Sequence, residues 1–193
     1  MYIQKLIDNG YPVKNFAKDA IIYEPGMHPK FVYFIKAGEV RMITVSEDGK
    51  EFIQGVFKAG QYFGEPALLL DKKYLAYTIV NKNAKIIAVS KQGFLKLLTE
   101  DPAFCMDLIT GLSKRLFYKS MMLEELANEK AEHRLETIIN YLFLDINAGE
   151  KLNVTRQNLA DMTGLRVETV IRGVKLLAEK GSIHLDKGKI IKC

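Results

Sequence analysis

Glu168 and Arg172 stand four residues apart near the start of an amphipathic stretch, VETVIRGVKLLAEK. On a helix they share one face, with Lys175 on that face and Arg166 and Thr169 beside it. Such a face suits the major groove of duplex DNA. An arginine can donate two bonds to guanine O6 and N7, and a glutamate can accept from cytosine N4. Val167 and Ile171 offer apolar contact to a thymine methyl. The plain alternative is a solvated face carrying an ordinary i, i+4 ion pair, which is frequent on helices. The surroundings decide against it.

Those surroundings read as two short helices joined by a tight turn. The first runs from about Thr155, a plausible N-cap, to Thr163, with Leu159 and Met162 as its apolar face. Gly164 supplies the sharp turn, since glycine adopts a positive φ without steric cost. The second helix spans about Arg166 to Lys180 and stops at Gly181. Val170, Val174 and Leu177, at i, i+4 and i+7, form its buried stripe. Charge agrees: between positions 151 and 193 nine Lys/Arg oppose four Asp/Glu, so this stretch alone carries +5, equal to the whole chain's formal net charge. A polyanion, double-stranded DNA, is the expected partner of this end.

The remainder excludes other classes. With 48% hydrophobic and 26% charged residues over 193 positions, the chain is globular and long enough for one or two cored domains. Two cysteines, Cys105 and Cys193, make neither a disulfide framework nor an iron–sulfur ligand set. His28, His133 and His184 form no constellation, and there is no H-E-x-x-H, nucleophile–base pair or Walker loop, so neither an enzyme nor a metal site is expected. The N-terminus lacks an apolar leader core, and no run approaches the about 18 apolar residues of a membrane span; the expectation is a cytoplasmic protein without a membrane partner.

From Asn15 to about Ser90 the texture is β. Segments Ala20–Tyr23, Val32–Lys36, Val40–Val45, Phe52–Phe57 and Ile86–Val89 are separated by Pro25-Gly26, Ala37-Gly38, Asp48-Gly49 and Ala59-Gly60. That pattern predicts a compact antiparallel sandwich or roll, with Asp48-Gly49 as a hairpin turn. From about Pro102 to Ala127, Cys105, Ile109, Leu112, Leu116, Lys119, Leu123 and Leu126 alternate by fours and threes, a coiled-coil seam with one polar break. Phe104, Leu108, Phe117, Met121 and Met122 lie off the seam and need a second cover. A partner chain on one stripe and the β domain on the other satisfies both; a fully buried helix in a monomer is the alternative. The stripe weakens at ANEKAEHR, a hinge, and resumes from Arg134 to about Asp145. SIHLDKGKIIKC reads as a short hairpin turning at Asp186–Gly188, with Lys187 and Lys189 placed for phosphates.

Two stretches carry a resemblance. PGMHPKFVYFIKAGEVRMI followed by EDGKEFIQGVFKAGQYFGEPALL is similar to the cyclic-nucleotide-binding β-roll of the Crp/Fnr regulators, and TRQNLADMTGLRVETVIR to their helix-turn-helix. The segment between resembles the family's dimerisation helix, so the likeness covers almost the whole chain in the family's order. It implies an α+β fold: an N-terminal antiparallel β-roll (a double-stranded β-helix) over 1–100, a dimerisation helix and hinge over 101–130, and a winged helix-turn-helix over 131–193. It further implies a homodimer on a near-palindromic site with a TGA half-site core, and RNA polymerase as a partner. Thr155, Arg156, Gln157, Lys187 and Lys189 would hold phosphates and set register. Val167 stands where some members carry a second base-reading arginine, leaving the outer base open. A sensor module acting through a protein partner is the competing reading.

In cyclic-nucleotide binders of this family a glutamate takes the ribose hydroxyl and an Arg-Ser pair, about ten residues on, takes the phosphate. Phe63, Gly64 and Glu65 match the start of that cassette, but the Arg-Ser positions hold Tyr74 and Leu75. Without the guanidinium a buried phosphate loses its bidentate, charge-assisted contact, so cyclic AMP is not the expected effector and no cofactor is assigned. The adenine-contacting positions fall on Lys119 and Ser120. Lys119 is open to two roles: binding an anionic ligand, or lying along the surface or against a carboxylate such as Glu65.

Overall fold

The computed structural model describes residues 2–127, 130–144 and 146–192, with the side chains of Leu126 and Ala127 outside the description. The chain packs as two compact units, Met1–Leu112 and Ser113–Cys193, the boundary falling inside a long helix.

The first unit is built on two long strands, β3 (Phe31–Val45) and β6 (Tyr77–Ser90), paired antiparallel. Around them lie β1 (Val13–Phe16) and β2 (Ile21–Tyr23), both on β6, and β4 (Glu51–Lys58) and β5 (Tyr62–Phe63), both on β3. Every pairing is antiparallel, as the roll reading expects. Successive side chains of a strand point to opposite faces, and here the two faces feed two cores. Val32 and Phe34 join Ile87, Val89, Phe94, Phe104 and Leu108 beneath the helices α1 (Tyr2–Asp8), α3 (Lys91–Glu100) and the start of α4 (Pro102–Ala127). Ile35 joins Tyr23, Phe57, Phe63, Tyr74 and Ile86 inside the roll. Fully burying a Leu, Ile or Phe side chain contributes about 1.5–3 kcal/mol, so this alternation is the main stabilisation of the unit.

Ala37-Gly38, expected as a turn, is instead a bulge within β3, where the register against β6 shifts. Gly38 has φ +91° and lies so close to β6 that a Cβ would fall on the Asn83 carbonyl oxygen. The composition signals a turn because a bulge needs the same left-handed backbone. The Asp48-Gly49 hairpin is as expected, Val45 pairing with Glu51 and Gly49 N–H donating to Ser46 O at 2.9 Å. Helices α1, α2 (Glu65–Leu70) and α3 and strands β1 and β5 are not among the elements expected from the sequence. All are short, and the two strands borrow their partners from distant segments.

In the second unit α4 continues to Ala127, and α5 runs from Ala131 to Phe143, three residues earlier than the periodicity suggested. The hinge expectation falls partly on Asn128 and Glu129, which lie outside the described residues, as does Asp145. Helices α6 (Arg156–Thr163) and α7 (Val167–Glu179) and the hairpin β7 (His184–Asp186) and β8 (Lys189–Ile191) complete it. Leu135, Ile138, Ile139, Leu159, Val170, Val174 and Leu177 are its buried centre. Gly173 lets α7 approach α5, since a Cβ there would meet Leu135 Cδ2 at 2.7 Å.

Of the expected seam on α4, Ile109, Leu116, Lys119 and Leu123 are exposed, whereas Leu112 packs against the core of the first unit and the Leu126 side chain lies outside the described residues. Phe104 and Leu108 are buried in the first unit and Met122 in the second. Phe117, expected on that covered side, is 70% exposed. Nine residues at about 100° each place it opposite Leu108. It therefore joins Met106, Ile109, Leu116 and Leu123 on an exposed apolar face.

Candidate nucleic-acid interface

Helix α6 starts where a side chain can satisfy its free amides. Thr155 Oγ1 accepts from Asn158 N–H at 3.0 Å, and the Asn158 side chain returns to the Thr155 N–H at 3.4 Å, a reciprocal cap. The helix ends at Gly164, φ +70°, the left-handed turn that launches α7. Arg166 is the N-cap of α7 and makes no side-chain cap bond, leaving its guanidinium exposed. Glu168 in the first turn suits the positive end of the helix dipole.

With Val170, Val174 and Leu177 buried beneath α7, its outer face presents Glu168, Ile171, Arg172 and Lys175 to solvent. Val167 and Thr169 flank it, half-buried. The structure thus brings the base-reading candidates together on one helix face. The wing closes through a two-residue loop, Lys187-Gly188, with both φ positive, matching the twist of the paired strands. Lys187 and Lys189 are exposed there, and Lys151 bonds Asp186 at 2.8 Å from the preceding segment, which holds that carboxyl below the usual range.

Two phosphate candidates are already engaged. Arg156 Nη2 donates to the carbonyl of Gly188 at 3.1 Å, tying α6 to the wing tip, and burial lowers its pKa. Gln157 donates to the buried Asp161 at 2.7 Å. Both are expected as contacts to phosphate; the Arg156 tie leaves no local signal because its carbonyl partner lies 32 residues on, whereas Gln157 and Asp161 form an ordinary i, i+4 pair.

The roll's cassette residues are packed. Phe63 and Glu65 are wholly buried, and Gly64 (φ +91°) caps α2. Tyr74 stacks on Tyr23 with ring centres 3.6 Å apart and planes 5° from parallel, and burial pushes its hydroxyl pKa up. Leu75 is 86% exposed. In the second unit Lys119 and Ser120 are exposed on α4, and partial desolvation, then the Arg115 charge, lowers the Lys119 pKa. No helix is long and apolar enough to cross a membrane, and among the described residues no cluster of His, Cys, Asp and Glu could hold a metal.

Comparison with known proteins places both units. Residues 13–101 match the model of the cyclic nucleotide-binding domain, and residues 133–192 that of the Crp-like helix-turn-helix domain. The chain is 28% identical over 174 residues to the cAMP-activated global transcriptional regulator CRP of Haemophilus influenzae, covering 87% of this chain and 77% of that one. It is 27% identical over 186 residues to the global nitrogen regulator of a Nostoc species, covering 92% and 83%. The fold is shared with the c-di-GMP responsive global regulator CLP of Xanthomonas campestris, at TM-score 0.77 and 20% identity over 98% of this chain and 97% of that one. One of these relatives is cAMP-activated and another c-di-GMP responsive. The chain belongs to the Crp/Fnr family, DNA-binding transcription regulators and not enzymes.

Proposed function

We propose that this regulator works as a homodimer on a near-palindromic duplex site, its two α7 helices entering successive major grooves one helical turn apart. Arg172 reads a guanine, and Glu168 accepts from cytosine while steadying Arg172. Arg166, Val167, Thr169, Ile171 and Lys175 complete the base-edge and backbone contacts. Thr155, Gln157, Lys187 and Lys189 set register on phosphates, with Arg156 acting through the wing it holds. The observation that carries the reading is the α7 face itself: charged, exposed, and backed by a buried stripe that holds it rigid. The exposed apolar face of α4 supports the dimer, because a monomer would leave Ile109, Leu116, Phe117 and Leu123 in water.

Cyclic AMP is not its effector on this reading. The position of the phosphate-binding arginine is filled by a tyrosine ring stacked inside the roll. That ring offers no charge to a phosphate. Other small molecules remain open to the Lys119 region, and RNA polymerase is the partner that a regulator of this type recruits.

Arg172→Ala tests the assignment. It relaxes preference at one base pair of each half-site and costs about 1–3 kcal/mol on the preferred duplex. A uniform loss across all duplexes contradicts the reading role.

A further inference from the structure

The far end of α4 ends in a buried carboxylate. Glu125 is 4% exposed, and α5 supplies its partners. Oε2 lies 2.7 Å from His133 Nδ1, and Oε1 accepts from Thr137 Oγ1 at 2.9 Å. Its main-chain oxygen accepts from Arg134 Nε at 3.3 Å. The same guanidinium reaches onward: Arg134 Nη1 donates to Thr163 O at 3.2 Å. Thr163 is the last residue of α6, one position before the Gly164 turn that aims α7. One continuous set of bonds therefore runs from the end of α4 to the turn that sets the direction of the reading helix.

We propose that Glu125, His133 and Arg134 are positioning residues for DNA reading, a tie whose strength follows the charge on His133 and which fixes the spacing of the two reading heads. The proposal rests on the dimeric DNA-binding reading above. A buried carboxylate is held best by a cation, and a neutral imidazole supplies only a dipole. α4 presents Glu125 and Glu124 to the ring, and α5 adds Glu136. Arg134 donates to main-chain oxygens, and Lys180 pairs with Glu132. The hydrogen bond and charge of Glu125 raise the His133 pKa above its usual value, with Glu136 and Glu124 reinforcing this. The charged tie is thus complete below the ordinary histidine range and is lost as pH rises through the raised value. The ring is 59% exposed, so the titration is open to solvent.

The test uses full-length protein and fluorescence anisotropy at constant ionic strength from pH 5.5 to 8.5. Two duplexes are compared: the selected inverted repeat, and the same half-sites spaced two base pairs further apart. Their affinity ratio cancels general charge effects. The ratio is expected to fall about fivefold with rising pH, the low end of ordinary coupling because the ring is partly solvated. His133→Gln flattens it, His133→Lys holds it high at all pH, and His184→Gln leaves it unchanged. A ratio that stays constant with pH in the unaltered protein, or persists in His133→Gln, overturns the tie while leaving DNA binding intact. Absence of binding to any duplex overturns the underlying reading as well.

Discussion

Leu116→Ala strikes the exposed face of α4 at its centre. In the single chain Leu116 is 68% exposed, so its loss should not disturb the fold of either unit. Removing three carbons at about 0.8 kcal/mol each forfeits about 2.4 kcal/mol when the side chain goes from full exposure to full burial. Scaled by the exposed fraction, that is about 1.6 kcal/mol per chain. A twofold interface loses it twice, about 3.3 kcal/mol, which weakens dimerisation by about 200-fold. Sedimentation equilibrium over a dilution series reads the constant directly. Lys114→Ala, exposed on another face of the same helix, serves as the control and leaves the dimer intact. Thermal denaturation monitored at the monomer concentration should show Leu116→Ala unchanged. An unaltered dimerisation constant, or a monomer at every concentration for the parent chain, refutes the assignment of this face to a second copy.

Three further outcomes follow from named contacts. Arg156→Ala should weaken all duplexes alike; because it frees the wing, the log–log salt slope should flatten by more than the about 0.9 of a single phosphate contact. Titration calorimetry with cyclic AMP should give no heat of binding at micromolar concentrations, and a clear isotherm would show that the stacked Tyr74 does not keep the phosphate out. Asp101 accepts from Lys5 Nζ at 2.7 Å and from Phe104 N–H at 3.0 Å, which lowers its pKa. Its contribution to stability is therefore present above the ordinary carboxylate value and disappears as pH falls through the depressed one. Urea midpoints of Asp101→Asn and the parent chain should differ at neutral pH and converge in acid.

The parts of this molecule legible in the sequence are those with a local cause. Gly164, Gly181 and the Val170–Val174–Leu177 stripe fix α6 and α7 to within a residue of their observed ends. Pro102–Ala127 was readable over its whole length because a long apolar repeat has few competing interpretations. What escaped was set by distant partners. Gly38 reads as a turn until β6 is seen pressed against it. Phe117 is the exception, since its helical angle from Leu108 follows from the spacing alone. Arg156 looks like a free cation until Gly188, 32 residues on, claims it. Glu125 falls near the end of the expected long helix and Arg134 where the next amphipathic stretch begins, and nothing in their spacing announces a shared route to Thr163.

Selection of bound duplexes from a random pool by the full-length protein tests the central claim most directly. The account predicts enrichment of inverted repeats whose half-sites lie one helical turn apart, with one invariant G·C pair per half-site that degenerates in Arg172→Ala. Enrichment of single half-sites without a paired repeat, or no enrichment over the starting pool, would contradict it.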